Sequence, residues 1–391
     1  MWIQNTLFMT IKTIPFGQPI LGAEEEQAVL SVLRSGILVH GPKAGEFESA
    51  FARYTGAKYA VSVSSCTAGL HLSYFVRGIG PGDEVIVPAQ THTATAHAVE
   101  LAGATPIFVD ADSATGNIDI AQIEQHITGR TKAISIVHFL GLPVDMPRIL
   151  EIAQRRGLMV IEDCALAIGT RLGGAHAGTF GDVGCFSFYP VKHMTTTEGG
   201  MVTTNNPELA ERIGRQKAFG LDSMVGERKI PGVYDVMSLG FNYRMSEMEA
   251  VIGIEQLKRI DGFLVKRKAN YETLEHALQQ IEGVELLQST HDQFQSSYYC
   301  LSALLSKALI GKKWEIVDYL KQHGIGTSVY YPKPVPHMTY YKKKYSFADD
   351  SFPVAAWIST ASIALPVGPH LNEEDMRTIA QTLQEAIHSV S

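Results

Sequence analysis

Cysteine is scarce in this chain: four in 391 residues, at positions 66, 164, 185 and 300, with no Cys-x-x-Cys pair and no zinc spacing. That excludes a disulfide scaffold and a zinc ribbon, leaves no metal expected, and fits free thiols in a reducing compartment. Long apolar runs are missing too, so no segment reads as a membrane span. The opening residues Met1-Trp2-Ile3-Gln4-Asn5 carry no basic stretch ahead of an unbroken apolar core. No signal peptide is read there, and the expected location is the cytoplasm. Basic residues do not predominate: 33 stand against 40 acidic ones, a net charge of −7, which argues against a nucleic-acid surface. The one dense basic run, Lys342-Lys343-Lys344, reads as a solvated loop, with an anion site as the alternative. Internal repeats and low-complexity tracts are absent.

The remaining composition, 45% hydrophobic and 19% charged, is that of an ordinary globular protein, and the length allows two domains. Short apolar runs at Tyr59–Val63, Glu84–Val87, Pro106–Val109, Ala133–Val137 and Leu158–Ile161 read as buried strands. Helical spacing appears at Glu24–Ser35, Glu46–Tyr54, Ala68–Val76 and Met146–Arg156, the last opening on Asp145 as cap with Pro147 in its first turn. This alternation predicts an α/β fold with a mostly parallel sheet covered on both faces. Ser246-Glu247-Met248-Glu249 matches a capping box and predicts a long helix. After Asp261 the pattern changes, with a helix near Lys266–Gln280, strand-like pieces, a helix near Trp314–His323 and a last one near Glu373–Ser389. Residues 1–262 therefore read as a large α/β domain with an N-terminal arm, and 263–391 as a smaller α+β domain.

Ligands of parallel sheets bind at the carboxyl ends of the strands. Four segments deliver polar or reactive groups to that edge: Ser64-Ser65-Cys66-Thr67-Ala68-Gly69, Gln90-Thr91-His92, Asp163, and the run from Gly184 that leads to Lys192. Ser64–Gly69 reads as an anion cradle at a helix N-terminus, or as a plain capped turn. Asp163 reads as a helix cap, or as the carboxylate that pairs with a pyridine nitrogen and keeps the ring protonated. Lys192 lies between an aromatic stretch and Thr195-Thr196-Thr197-Glu198-Gly199-Gly200. A desolvated lysine in such surroundings loses proton affinity and suits Schiff-base chemistry; a solvated surface lysine is the alternative. The segment Leu221–Val236 has no clear period and reads as a long loop, either a substrate mouth with Arg228 and Lys229 as pyrophosphate contacts or a plain surface excursion.

Taken in order, Ser35-Gly36, Gly41-Pro42, Gly80-Pro81-Gly82-Asp83-Glu84-Val85, Phe108-Val109-Asp110, Ile161-Glu162-Asp163, Phe186-Ser187-Phe188, Lys192, Glu198-Gly199-Gly200-Met201 and Asn242-Tyr243-Arg244-Met245 form one pattern. With them the chain resembles the DegT/DnrJ/EryC1/StrS sugar aminotransferases, pyridoxal-phosphate enzymes of fold type I. The resemblance implies a mostly parallel sheet of the seven-stranded type in the large domain. It implies that Lys192 forms the Schiff base with pyridoxal 5'-phosphate and that Asp163 pairs with the ring nitrogen. Ser187 and the Cys66–Thr67 turn would hold the phosphate, and His92 would lie where an aromatic residue usually covers the ring. Asn242 would reach the cofactor of a neighbouring subunit, making a homodimer with shared sites. Tyr331 and His337 match a segment near the sugar, and His193 follows the lysine directly.

Three departures stand out. Cys66 replaces a glycine, His92 replaces a broader ring, and Leu166 replaces a hydrogen-bonding residue near the phenolic oxygen. The activity implied is transfer of an amino group, by resemblance from glutamate, to a nucleotide-linked keto sugar in surface-polysaccharide or amino-sugar biosynthesis, lipopolysaccharide included. A sugar 3-dehydratase with the same cofactor, and a cofactor-binding protein without turnover, are the alternatives.

Overall fold

The computed structural model describes residues 12–222, 230 and 232–390. Its strands, in chain order, are β1 Tyr59–Val63, β2 Glu84–Pro88, β3 Thr105–Val109, β4 Thr131–Val137, β5 Met159–Asp163, the two-residue β6 Arg171–Leu172 and β7 Ala175–His176, and β8 Val183–Ser187. They continue with β9 Gly200–Thr204, β10 Val284–Leu286, the two-residue β11 Phe294–Gln295, β12 Leu301–Leu305 and β13 Ser362–Leu365. Seven of these make one sheet in the order β1-β9-β8-β5-β4-β2-β3. The sheet is parallel except at β9, which runs antiparallel to both its neighbours. The parallel α/β architecture expected from the sequence is therefore present, and β9 is the strand that periodicity did not single out.

Alternation along the strands sorts the core into two layers. Val85, Val87, Ala133 and Ile161 pack with the helices Cys66–Val76 and Thr93–Leu101, while Ile86, Ile134, Ile136 and Val160 face the helix Met146–Arg156. A parallel sheet buried on both faces has strands that read as continuous apolar runs, and these do. The same alternation sends Glu162 and Asp163 to opposite faces. A second sheet, β10-β12-β13, is antiparallel and packs with Glu247–Leu278, Lys313–Gln322 and Glu373–Val390.

The capping box is as read: Ser246 Oγ accepts from Glu249 N at 3.2 Å and Ser246 N donates to the Glu249 carboxylate at 2.6 Å. The helix it opens runs unbroken from Glu247 to Leu278, straight through position 262. Asp261-Gly262 suggests a break, yet no proline interrupts the stretch and the space beside Gly262 is open. One exposed helical glycine costs only about 1 kcal/mol, which the packing of Ile260 and Leu264 on either side offsets. Among the described residues no helix is long and apolar enough to cross a membrane.

Candidate active site

Strand register brings the site together. β4 and β8 flank β5, with Val137 and Cys185 beside Asp163. The helix Cys66–Val76 starts one residue after Ser65, whose Oγ accepts from Ala68 N at 3.0 Å. The remaining first-turn N–H groups of Cys66 and Thr67 have no intrahelical partner, so they and the helix dipole can take an anion. Gly200 sets how closely the lysine loop meets this turn. A Cβ there would stand 2.5 Å from Ser65 C and 2.6 Å from Cys66 N, so only glycine admits the contact. Ser187 closes β8 beside it, nearly buried, its Oγ accepting weakly from Tyr189 N at 3.5 Å.

Lys192 rides on a loop clamped at one residue. Phe188 N donates to Gly199 O at 3.0 Å, while Phe188 O accepts from Thr196 N and Thr195 Oγ1, each at 3.0 Å. The lysine thus hangs from a short turn closed by Lys192 N donating to Tyr189 O at 2.9 Å. Burial pushes its ammonium below the ordinary lysine range, against the opposing charge of Asp163. Its Nζ lies 5.4 Å from the centre of the Tyr299 ring.

Asp163 is buried and held by donors. Thr95 Oγ1 donates to Oδ2 at 2.8 Å, Ala165 N to Oδ1 at 3.1 Å, and the Cys66 thiol approaches Oδ1 at 3.8 Å. Burial, with the Asp163 charge behind it, raises the Cys66 thiol well above its usual range, so it stays a neutral thiol, with Cys185 O the nearer acceptor for its one proton at 3.4 Å. His92 caps the helix Thr93–Leu101, its Nδ1 accepting from Ala94 N at 3.1 Å. Its ring meets Tyr331 edge-on at 5.8 Å, and desolvation lowers its pKa. Cys66, His92, Asp163, Lys192 and Tyr331 therefore share one site.

Other expected residues stand apart. His193 is buried, its Nε2 3.0 Å from Ser297 O and its Nδ1 without a partner; burial and then Arg267 hold its pKa well below the usual histidine value. His337 lines a separate open cleft of about 770 Å³ with Lys333, Lys342 and Lys343. Asn242 is exposed on a segment that Tyr243 O, accepting from Ser64 N at 2.8 Å, ties to the turn that opens the helix Cys66–Val76. Leu166 packs in the apolar core and offers only its carbonyl, to Ser297 Oγ at 2.7 Å. Arg228 and Lys229 lie outside the described residues.

Sequence reasoning missed Thr95, Tyr299 and Tyr330. Thr95 had a signal, its spacing of four from Thr91 after β2. Tyr299 had none, since only tertiary folding brings it to a lysine more than a hundred residues away.

The model of the DegT/DnrJ/EryC1/StrS aminotransferase family matches residues 19–384. Spore coat polysaccharide biosynthesis protein SpsC of Bacillus subtilis is 37% identical over 379 residues, 96% of this chain and 97% of that protein. Among solved structures, Helicobacter pylori PseC, an aminotransferase involved in pseudoaminic acid biosynthesis, matches with a TM-score of 0.89 and 28% identity over 97% of this chain and 100% of its own. The putative sugar aminotransferase Spr1654 of Streptococcus pneumoniae in its PLP form gives 0.91 and 29%, with 97% and 100% covered; a PMP form is also solved. The residues present fit that cofactor: a glycine-backed helix N-terminus for a phosphate, a buried carboxylate for a ring nitrogen and a desolvated amine for an aldehyde.

Proposed function

The chain belongs to the DegT/DnrJ/EryC1/StrS aminotransferase family, and we propose that it carries an amino group from glutamate to a keto group on a nucleotide-linked sugar. It is a pyridoxal-phosphate enzyme, a sugar aminotransferase. The observation that carries the reading is the convergence of Lys192 and Asp163 on one sheet edge, with His92 and Tyr331 as a wall. The names of SpsC and PseC support a carbohydrate acceptor and a surface-polysaccharide product.

Bound pyridoxal phosphate supplies an aldehyde and an electron-withdrawing ring. The chain does the rest. Asp163 holds the ring nitrogen by charge pairing, and Ser187 with the Cys66–Thr67 turn anchors the phosphate. Lys192 has the lowered proton affinity that a nucleophile and proton carrier needs near neutral pH, and its short loop limits its reach to the site centre. His92 and Tyr331 restrict water and orient the ring. The assignment of His193, His337, Arg228 and Lys229 to the acceptor rests on the resemblance alone: His193 is buried against Ser297 O, His337 lines a separate cleft, and Arg228 and Lys229 lie outside the described residues.

A homodimer with shared sites completes this reading. Ile37, Leu38 and Val39, and Val233, Tyr234, Val236, Met237 and Leu239, are all exposed large apolar residues, more than a soluble monomer keeps without cause. A second copy covering them lets Asn242 reach the neighbouring cofactor phosphate. The division near residue 262 into a large unit and a smaller C-terminal unit, and a cytoplasmic location, belong to the same proposal.

The test is Lys192→Ala. It retains cofactor but loses the half-reaction with glutamate by at least the roughly 10² to 10⁴ that a positioned proton carrier contributes. Borohydride reduction of the native holoprotein, with peptide mapping, is expected to label Lys192. A label elsewhere, or turnover in the variant, defeats the assignment. A panel of nucleotide-linked keto sugars with glutamate then identifies the acceptor.

A further inference from the structure

We propose that Thr91 and Thr95 form a hydroxyl relay that fixes the Asp163 carboxylate for its cofactor contact, making Thr95 a positioning residue of this enzyme. The inference rests on the pyridoxal-phosphate reading of the site. Thr95 and Thr91 are both almost wholly buried. Thr95 Oγ1 donates to Asp163 Oδ2 at 2.8 Å. Its oxygen is then free to accept, and Thr91 Oγ1 lies 2.8 Å away. The proton order that satisfies both contacts is Thr91 to Thr95 to Asp163.

The arrangement is not what a helical threonine does by default. Its hydroxyl commonly returns to the carbonyl four residues back. Thr55, Thr273, Thr360, Thr378 and Thr382 of this chain all do so, at 2.7–3.0 Å. Thr95 instead turns its hydroxyl across the sheet edge to a carboxylate on β5, and the residue four back supports it through a side chain. The backbone need not be repaired by this, because Thr95 lies in the first turn of its helix, where the default bond is dispensable.

A carboxylate oxygen has two lone-pair sites, so Oδ2 keeps one after Thr95 is served. Oδ1 is already engaged by Ala165 N, with Cys66 Sγ beside it at 3.8 Å. The relay therefore pins the carboxylate plane and leaves a defined vacancy on the oxygen it holds. Linked hydroxyls polarise one another, so the bond from Thr95 is stronger with Thr91 behind it.

The test compares binding of pyridoxal phosphate with binding of its analogue in which the ring nitrogen is replaced by C–H, by fluorescence titration of apoprotein. Wild type is expected to favour the natural cofactor. Thr95→Val is expected to lose about ten- to hundredfold of pyridoxal-phosphate affinity, the range of a hydrogen bond to a charged group, and no more than about threefold for the analogue. Thr95→Ser restores the preference, and Thr91→Val loses less than Thr95→Val. If valine misfolds, Thr95→Ala removes the same hydroxyl without added bulk. Equal losses for both ligands, or none for either, overturn the relay while leaving the cofactor reading intact. Wild type that binds neither ligand overturns both.

Discussion

Lys192 Nζ faces the Tyr299 ring at 5.4 Å from its centre, and the Tyr299 hydroxyl is 2.8 Å from that of Tyr330. Tyr330 O in turn accepts from Gln90 Nε2 at 3.0 Å, and Gln90 Oε1 from Ser359 Oγ at 3.1 Å. The Lys192 amine is thus braced by an aromatic face that is itself tied, through Gln90, to the loop carrying Thr91 and His92. An ammonium over such a face gains about 0.5–2 kcal/mol. Tyr299→Leu is predicted to slow the single-turnover reaction with glutamate about tenfold, followed by stopped-flow absorbance, whereas Tyr299→Phe stays within about threefold. A leucine variant as fast as wild type removes the ring from any role in holding the amine.

Gly200→Ala tests the contact between the lysine loop and the Ser65–Cys66 turn, the proposed seat of the phosphate. The atoms a methyl would meet, Ser65 C, Cys66 N and Phe186 O, are all backbone, within 2.5–2.7 Å. None can swing aside, so the cost is that of overpacking, about 1–3 kcal/mol. The expected result is a fall in melting temperature with a cofactor affinity reduced at least tenfold. Unchanged affinity means that the phosphate is held elsewhere.

How much of this was legible beforehand depended on whether the signal was local. Strand β5 ending in Asp163, the cap at Asp145 and the capping box at Ser246 are written within a few residues of where they act, and each is where the sequence puts it. Helix continuity through Asp261-Gly262 is not local, because it depends on Ile260 and Leu264 finding partners elsewhere. β9 was hidden for a related reason. Its glycine is needed for the close approach of the Ser65–Cys66 turn, and its antiparallel place between β1 and β8 follows from pairing, which a linear pattern does not encode. The site divides the same way. Lys192 and Asp163 announce themselves by neighbours, while Tyr299 and Gln90 acquire meaning only when distant segments meet.

Lys313 gives a stability signature in alkaline solution. It is buried, with Nζ donating to Ser359 O at 3.0 Å and the Trp314 ring at 5.2 Å, and burial lowers its pKa to about 8 from 10.5. Between those values the unfolded chain binds the proton and the folded chain does not, so stability rises with pH across that window. Below about pH 8 the folded state bears the penalty in full, at most about 3 kcal/mol. Lys313→Met is predicted to be more stable than wild type at pH 7 and to lose the rise between pH 8 and 10.5. Urea titrations at both ends check this; a variant that keeps the rise assigns it to another group.

The cluster His138, Glu162 and Cys164 has donor atoms within 4.8 Å of one another, the spacing of a metal site. Its hydrogen bonds say otherwise. Glu162 accepts from Gly178 N and Gly181 N, each at 2.7 Å, from Phe180 N at 2.9 Å and from His138 Nε2 at 3.0 Å. Four donors fill the carboxylate, and His138 Nδ1 is occupied by Val144 N at 3.1 Å. Glu162 thus ties the 178–181 turn beneath β5, on the face opposite Asp163, and His138 links that carboxylate to the backbone at Val144. Glu162→Gln turns an amide N–H₂ toward backbone donors, and the unmade bonds cost about 2–4 kcal/mol. The variant is predicted to melt several degrees lower yet bind one cofactor per chain, because the face carrying Asp163 is untouched. Micromolar zinc should leave the melting point of wild type unchanged, since a ligand stabilises only a state that binds it; a zinc-dependent rise that the Gln variant abolishes would make the cluster a metal centre instead.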